Sequence, residues 1–268
     1  MATHTMNDGI VDRALLNIRT AEGVIPTGFR DLDEKIEGGL QGGYLYVLGG
    51  RPGIGKTAFA LNIVLNVLKK GKKVLYYCLQ IPPEKLVKRM IITEAHGENG
   101  DLREAADEIR KYDLILENDP TFCFFGESYD NHISYEDVSL IVVDDLQHIS
   151  MDYEPGGVSY AIKEKAQQKS IPILLLTNLS ESVDERHLME RRPILADLHD
   201  VYYGNPIAEY SDVVMLLYRD EYYNPETEMK AIAEINVAKN STGRSGNCKL
   251  VYIGDIMKFA NIVRCDEL

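Results

Sequence analysis

The stretch GRPGIGKT, Gly50–Thr57, decides how this chain is read. Before it stands YLYVLGG, a continuous apolar run closed by glycines, which predicts a buried strand over Tyr44–Leu48. After it stands TAFALNIVLNVLKK (57–70), with apolar residues at helical spacing. The eight residues fit G-x-x-x-x-G-K-[ST] at every fixed position, between a strand and a helix, the context a phosphate-cradling loop needs. Glycines let backbone N–H groups turn inward around phosphates, and the positive end of the following helix favours an anion. Gly50, Arg51, Pro52, Gly53, Ile54, Gly55, Lys56, Thr57 and Ala58 are therefore the expected nucleotide-binding residues. Lys56 supplies a point charge at the β and γ phosphates, and the Thr57 hydroxyl faces Mg²⁺, so ATP and Mg²⁺ are the expected ligands. A chance glycine-rich turn would carry neither the fixed residues nor these flanks.

Such a loop needs an acid opposite it. SLIVVDD (139–145) reads as a strand, and Asp144 at its end is the residue expected to hold the metal through water, together with Thr57. Apolar strands ending in Asp are common; this one gains meaning from the alternation around it. KVLYYCL (73–79), IPILLLT (171–177) and SDVVMLLYR (211–219) read as strands. Residues 82–96, 101–112 and 159–170 read as helices, the first with proline in its opening turn. Residues 229–239 and 247–254 read as antiparallel strands about a Gly-rich turn. The alternation predicts an α/β fold: a mostly parallel twisted sheet with helices on both faces and antiparallel strands at the C-terminal edge. Residues 1–24 form a polar leader around a short helical pattern, Ile10–Ile18, and residues 25–268 form one domain. The longest irregular stretch, 178–206, has the length of a functional loop.

Composition narrows the partners. The 268 residues carry a formal net charge of −13, so bulk charge does not suggest nucleic acid, although a local basic loop remains compatible. No two of Cys78, Cys123, Cys248 and Cys265 stand at C-x-x-C spacing, and the histidines show no metal-ligand spacing. Reduced thiols, no signal peptide and no apolar run long enough to span a bilayer point to a cytoplasmic chain with no membrane partner.

Together the residues resemble the C-terminal motor domain of DnaB-type hexameric replicative helicases. The resemblance runs from Ile25 to Asn261 and is carried by residues 25–63, PPEKLVKRM (82–90), VVDDLQHI (142–149) and SDVVMLLYRDEYYNPETEMKAIAEINVAK (211–239). It implies a RecA-like core, ATP and Mg²⁺, ring assembly and single-stranded DNA in a central channel. The family's N-terminal domain is not expected within these residues. With only Ile10–Ile18 to serve as a linker helix, weak or concentration-dependent assembly is expected.

Departures from the family fall on chemistry. Gln80 stands where the resemblance implies a water-activating glutamate; an amide orients water but takes no proton. In the turn after the penultimate strand Lys239 is retained, the arginine position is Ser241, and Arg244 lies three residues on, so Lys239 and Arg244 are the implied trans-acting pair. Asn178 replaces a glutamine implied to sense the γ-phosphate. The implied DNA loop reads Asp197-Leu198-His199-Asp200-Val201-Tyr202-Tyr203-Gly204 and lacks the family's arginine. His199, Tyr202 and Gly204, with Arg186 and Arg192 upstream, are the DNA-binding candidates; the tyrosines either stack on bases or cover the domain surface. Arg191 shares this loop, and acids at 181, 184, 185 and 190 dilute its field. Lys69, Lys70, Lys72 and Lys73 read as a solvated turn. The resemblance puts Tyr218, Arg219, Asp220, Tyr222 and Tyr223 at the adenine or subunit boundary, against plain packing of strand-end tyrosines. Gln147 either links the metal acid to the DNA loops or makes a buried hydrogen bond. Two functional readings stay open: an ATP-hydrolysing motor on single-stranded DNA, or a degenerate relative that binds ATP and hydrolyses it poorly.

Overall fold

The computed structural model describes residues 23–95, 100–119, 134–149, 157–187, 191–198 and 207–263. The leader pattern Ile10–Ile18 and the candidates His199, Tyr202 and Gly204 lie outside them.

One sheet of nine strands organises the described residues. They are β1 (Leu45–Gly50), β2 (Lys73–Cys78), β3 (Leu114–Glu117), β4 (Val138–Asp144), β5 (Ile173–Asn178), β6 (Val213–Tyr218), β7 (Ile232–Asn240), β8 (Gly246–Ile253) and β9 (Lys258–Asn261). Their spatial order is β3-β2-β4-β5-β1-β6-β7-β8-β9. Neighbours are parallel from β3 through β6 and antiparallel from β6 through β9. The expected α/β architecture is present, with β1 deep inside the sheet.

Successive strand residues point to opposite faces, so the continuous apolar runs feed two cores. Tyr46, Leu48, Val74, Tyr76, Leu140, Val142, Leu174 and Leu176 pack on one face, against helices α1 (Arg30–Lys35), α2 (Lys56–Leu68) and α3 (Pro83–Ala95). Leu45, Val47, Leu75, Tyr77, Ile141, Val143, Ile173 and Leu175 pack on the other. There they meet two helices whose ranges are Gly157–Lys169 and Ile207–Tyr210. Between α3 and β3 runs α4 (Leu102–Ile109), whose start is capped by the Asp101 carboxylate accepting from the backbone N–H groups of Arg103 and Glu104. In chain order the helices from Gly157, Ile207 and Asp220 are α5 (Gly157–Lys169), α7 (Ile207–Tyr210) and α8 (Asp220–Tyr223), with α6 (Ser182–Glu185) after β5.

The structure adds to the sequence reading at the sheet edges. β3 and β9 are strands of four residues, too short to show a period of two, and β3 is only half-buried. β1 also runs on through Gly49 and Gly50, past the expected end at Leu48. It is held there by parallel pairing of Gly49 with Thr177 and Gly50 with Asn178. A Cβ at Gly49 would lie 3.0–3.2 Å from the side chains of Leu216, Leu179 and Leu198, so any larger residue needs those leucines to give way. The stretch after β5 is not wholly irregular: it contains α6 and a 3₁₀ turn at Leu195–Leu198.

α2 is buried on nearly all sides, because the antiparallel strands fold back over it. The Phe59 ring stacks on Phe29 at 4.9 Å and meets Phe259 edge-on at 5.1 Å. Asn62 ties the helix to β9: its amide donates to Met257 O at 2.9 Å, and its oxygen accepts from Phe259 N–H at 3.0 Å. The two ends of the described fold also meet. Arg30 N–H donates to Asn261 Oδ1, Asn261 Nδ2 donates to Gly28 O, and the Arg30 guanidinium donates to Ile262 O, at 3.0, 3.0 and 3.2 Å. Asn62→Ala leaves the Phe259 N–H and the Met257 carbonyl without their partner. A loss of roughly 2–4 kcal/mol of unfolding free energy is expected, read as a lower midpoint in urea at unchanged m-value.

Candidate nucleotide site

The loop Gly50–Thr57 leaves β1 at the carboxyl ends of the parallel strands and feeds directly into α2. Gly53 (φ +78°) and Gly55 (φ +114°) take left-handed conformations that side chains disfavour, and Gly55 is the residue at which α2 begins. Ile54 N–H closes the turn on Arg51 O at 3.2 Å, with Ile54 itself buried. Pro52 is exposed at the tip, and its carbonyl accepts from the Tyr222 hydroxyl at 3.0 Å. Ala58, in the first turn of α2, is buried.

Lys56 folds back over the loop and is only 8% exposed. Its ammonium donates to Gly50 O at 2.9 Å, Arg51 O at 3.3 Å and Asn178 Oδ1 at 2.7 Å. Burial lowers its pKa to about 8, against the opposing pull of Asp145 and Asp144. Asn178 is held in turn: its N–H donates to Gln147 Oε1 at 3.2 Å, and Gln147 Nε2 donates to Thr177 Oγ1 at 2.8 Å. Of the two readings open for Gln147, the fold supplies a hydrogen-bonding one: its side chain joins the end of β4 to the end of β5.

Asp144 ends β4 and is 2% exposed. Burial pushes its carboxyl above the usual carboxylate range, and hydrogen bonds from the Thr57 and Tyr76 hydroxyls pull it back. Thr57 and Asp144 therefore lie near each other between the start of α2 and the end of β4. A hydroxyl and a carboxylate, both hard oxygen donors, suit Mg²⁺, which takes one or two protein oxygens and completes its shell with phosphate and water. Among the described residues no group of three or more His, Cys, Asp or Glu side chains forms a metal cage. Asp145 is also buried, and its carboxylate pairs with His148 Nδ1.

Other nominated residues fall around this centre. Gln80 follows β2, is exposed, and sits beside Asp144 through its backbone N–H, which donates to Asp144 O at 3.1 Å. Glu84, the other candidate acid nearby in sequence, is exposed in the first turn of α3. The Arg51 side chain turns away from the loop to Asp184, at 2.6 and 2.9 Å, and to Leu179 O at 2.7 Å. Arg219 reaches the loop backbone at Ile54 O (3.3 Å), pairs with Glu221 (2.7 Å) and lies 4.1 Å over the Tyr252 ring. Its Nε is buried without a hydrogen-bond partner. Tyr218 is buried and stacks on Tyr223, and its hydroxyl donates to Asp220 at 2.6 Å. Tyr222 stays exposed.

Lys239 and Arg244 differ in placement. The Lys239 ammonium donates to three carbonyls of its own chain, Ala208, Glu209 and Ser211, at 2.8, 3.0 and 2.7 Å. Ser241 also turns inward, its hydroxyl on Asp212 O at 3.1 Å. Arg244 is exposed in the β7–β8 turn, anchored through its backbone N–H on Lys35 O at 3.2 Å. The arginines of the long loop are matched internally: Arg186 grips the buried Asp197, Arg192 pairs with Glu234 at 2.9 and 3.3 Å, and Arg191 donates to Arg186 O. Sequence reasoning missed the Tyr76 contact with Asp144 and the Tyr252 ring under Arg219. Both depend on strand register, which leaves no local signature.

Comparison with known proteins agrees with this geometry. Among solved structures, one ATPase domain superposes with a TM-score of 0.81 at 24% identity, over 96% of this chain and all of that one. A DnaB-like replicative helicase superposes with a TM-score of 0.80 at 23% identity, over 98% of this chain and 68% of that one. These two likenesses are of fold; kinship is carried by sequence. The chain is 31% identical over 264 residues to the replicative DNA helicase DnaB of Geobacillus stearothermophilus, covering 90% of this chain and 57% of that protein. It is equally similar, with the same coverage, to the replicative DNA helicase DnaC of Bacillus subtilis. The chain thus spans little more than half the length of these relatives. Among the described residues no helix is long and apolar enough to cross a membrane. Residues 24–261 match the family described as DnaB-like helicase C terminal domain, nearly the whole chain, and the protein belongs to that family.

Proposed function

We propose that the chain is an ATP-hydrolysing motor domain that couples nucleotide turnover to movement along single-stranded DNA, acting together with copies of itself. The observation that carries this reading is the buried Lys56 ammonium at the mouth of the loop, with the Thr57–Asp144 pair beside it. Incoming β and γ phosphates take the Lys56 donors now shared among Gly50 O, Arg51 O and Asn178 Oδ1. A bound Mg²⁺ would supply charge neutralisation at the phosphates. Thr57 and Asp144 would hold it, Asn178 would sense the γ-phosphate, and Arg219 with Tyr222 braces the loop through Ile54 O and Pro52 O. Gln80 orients water without accepting its proton. Arg244, exposed on the β7–β8 turn, suits a reach into a neighbouring copy; Lys239 must first leave its carbonyls. Contact with DNA falls to the segment holding His199, Tyr202 and Gly204, with Arg186 and Arg192 shaping its frame.

Steady-state phosphate release from Mg-ATP, measured with and without single-stranded DNA, tests the reading. Release that DNA stimulates is the expected result. No release, from protein that still binds a fluorescent ATP analogue, would overturn it in favour of a nucleotide-binding relative.

A second measurement addresses the missing base and finger. Losing a general base typically lowers a rate by about 10²–10⁴. On the degenerate reading, Gln80→Glu with Ser241→Arg restores hydrolysis that neither single change restores; a working motor that uses Arg244 shows no such synergy.

Lys56 sets a pH dependence. The ammonium must be charged to bind phosphate, and in the free protein it loses its proton near pH 8. Bound phosphate raises that pKa, so binding above pH 8 takes up a proton. Affinity for the analogue is expected to be flat in this respect below pH 8. Above it, affinity falls by up to about tenfold per pH unit, and Lys56→Met removes the dependence.

A further inference from the structure

The Asp144 carboxylate has a second holder, from a different strand than its own. The Tyr76 hydroxyl donates to Asp144 Oδ2 at 2.9 Å. β2 and β4 pair in parallel with Cys78 opposite Asp144. Tyr76, two residues before Cys78, therefore shares a face with Asp144, and its ring leans along the strand to reach it. The ring is fully buried among the side chains that pack beneath α2 and has no room to swing. Phenylalanine would fill the same space, so core packing alone does not call for the hydroxyl.

Tyr76 donates to this carboxylate from the sheet floor, and Thr57 at the start of α2 lies near it. A carboxylate held on one oxygen in this way loses part of its freedom to rotate about its own axis. We propose that Tyr76 is a positioning residue for the metal site, holding Asp144 so that its free lone pairs meet the hydrated Mg²⁺ of Mg-ATP. The inference rests on the nucleotide reading given above. Residues that orient a metal-holding group are typically worth about 10–100-fold in metal affinity.

The test is binding of a fluorescent, non-hydrolysed ATP analogue titrated with Mg²⁺, and separately in EDTA. It compares the wild-type chain, Tyr76→Phe, Asp144→Asn and the double variant. In Tyr76→Phe the Mg²⁺ concentration at half-effect is expected to rise about tenfold or more, with binding in EDTA unchanged. The double variant is expected to match Asp144→Asn, because the hydroxyl acts only through that carboxylate. A Tyr76→Phe titration that overlays the wild type overturns the inference, provided Asp144→Asn still shifts it. Equal weakening in EDTA also overturns it, since the hydroxyl would then hold the pocket's shape and not the metal-facing acid. If Asp144→Asn leaves the Mg²⁺ dependence untouched, the metal reading of Asp144 falls and this inference falls with it.

Discussion

Lys56 must keep a proton where little water reaches it, and much of the local architecture serves that requirement. A buried ammonium without acceptors sheds its proton, because burial penalises the charged form. Here the acceptors come from two sources. The loop contributes the carbonyls of Gly50 and Arg51; the neighbouring strand contributes Asn178. Gly50 and Asn178 face each other in the parallel ladder of β1 and β5, so sheet register, not loop flexibility, sets the spacing of the cradle. Gln147 then braces Asn178 from the end of β4. The ends of β1 and β5 thus converge on one cation, with Gln147 from the turn after β4 behind them.

The antiparallel strands give the loop a second support. They carry Phe259 and the Asn62 hydrogen bonds to the far side of α2. They also bring Tyr252 beneath Arg219, whose guanidinium touches the loop at Ile54. The helix that begins at the phosphate loop is thus clamped between sheet and strands, and its N-terminal N–H groups are aimed by packing on both sides.

What was legible in the sequence follows from range. The loop is contiguous and its residues are fixed by backbone geometry, so GRPGIGKT announces it. Asp144 was legible because an apolar strand ends there within a strand–helix alternation. The Tyr76–Asp144 bond spans 68 residues and depends on how β2 and β4 register, information no local pattern holds. The same is true of Arg192 and Glu234, which are separated by 42 residues; the arginine looks free in sequence and is matched in the fold. β3 and β9 were invisible for a different reason: strands of four residues show too little alternation to be told from loop. Lys239, near the end of β7, carried no hint that it would cap the chain before β6.

The meeting of residues 28–30 with 261–262 has a geometric consequence of its own. A segment near the start of the domain and one near its end are held side by side by hydrogen bonds. Residues separated by 231 to 233 positions in sequence thus share one patch of surface. Joining those ends and reopening the chain at an exposed turn elsewhere would leave the sheet order intact, as with other domains whose termini are adjacent. Sequence order is then a convenience of this fold, and the sheet is what it conserves.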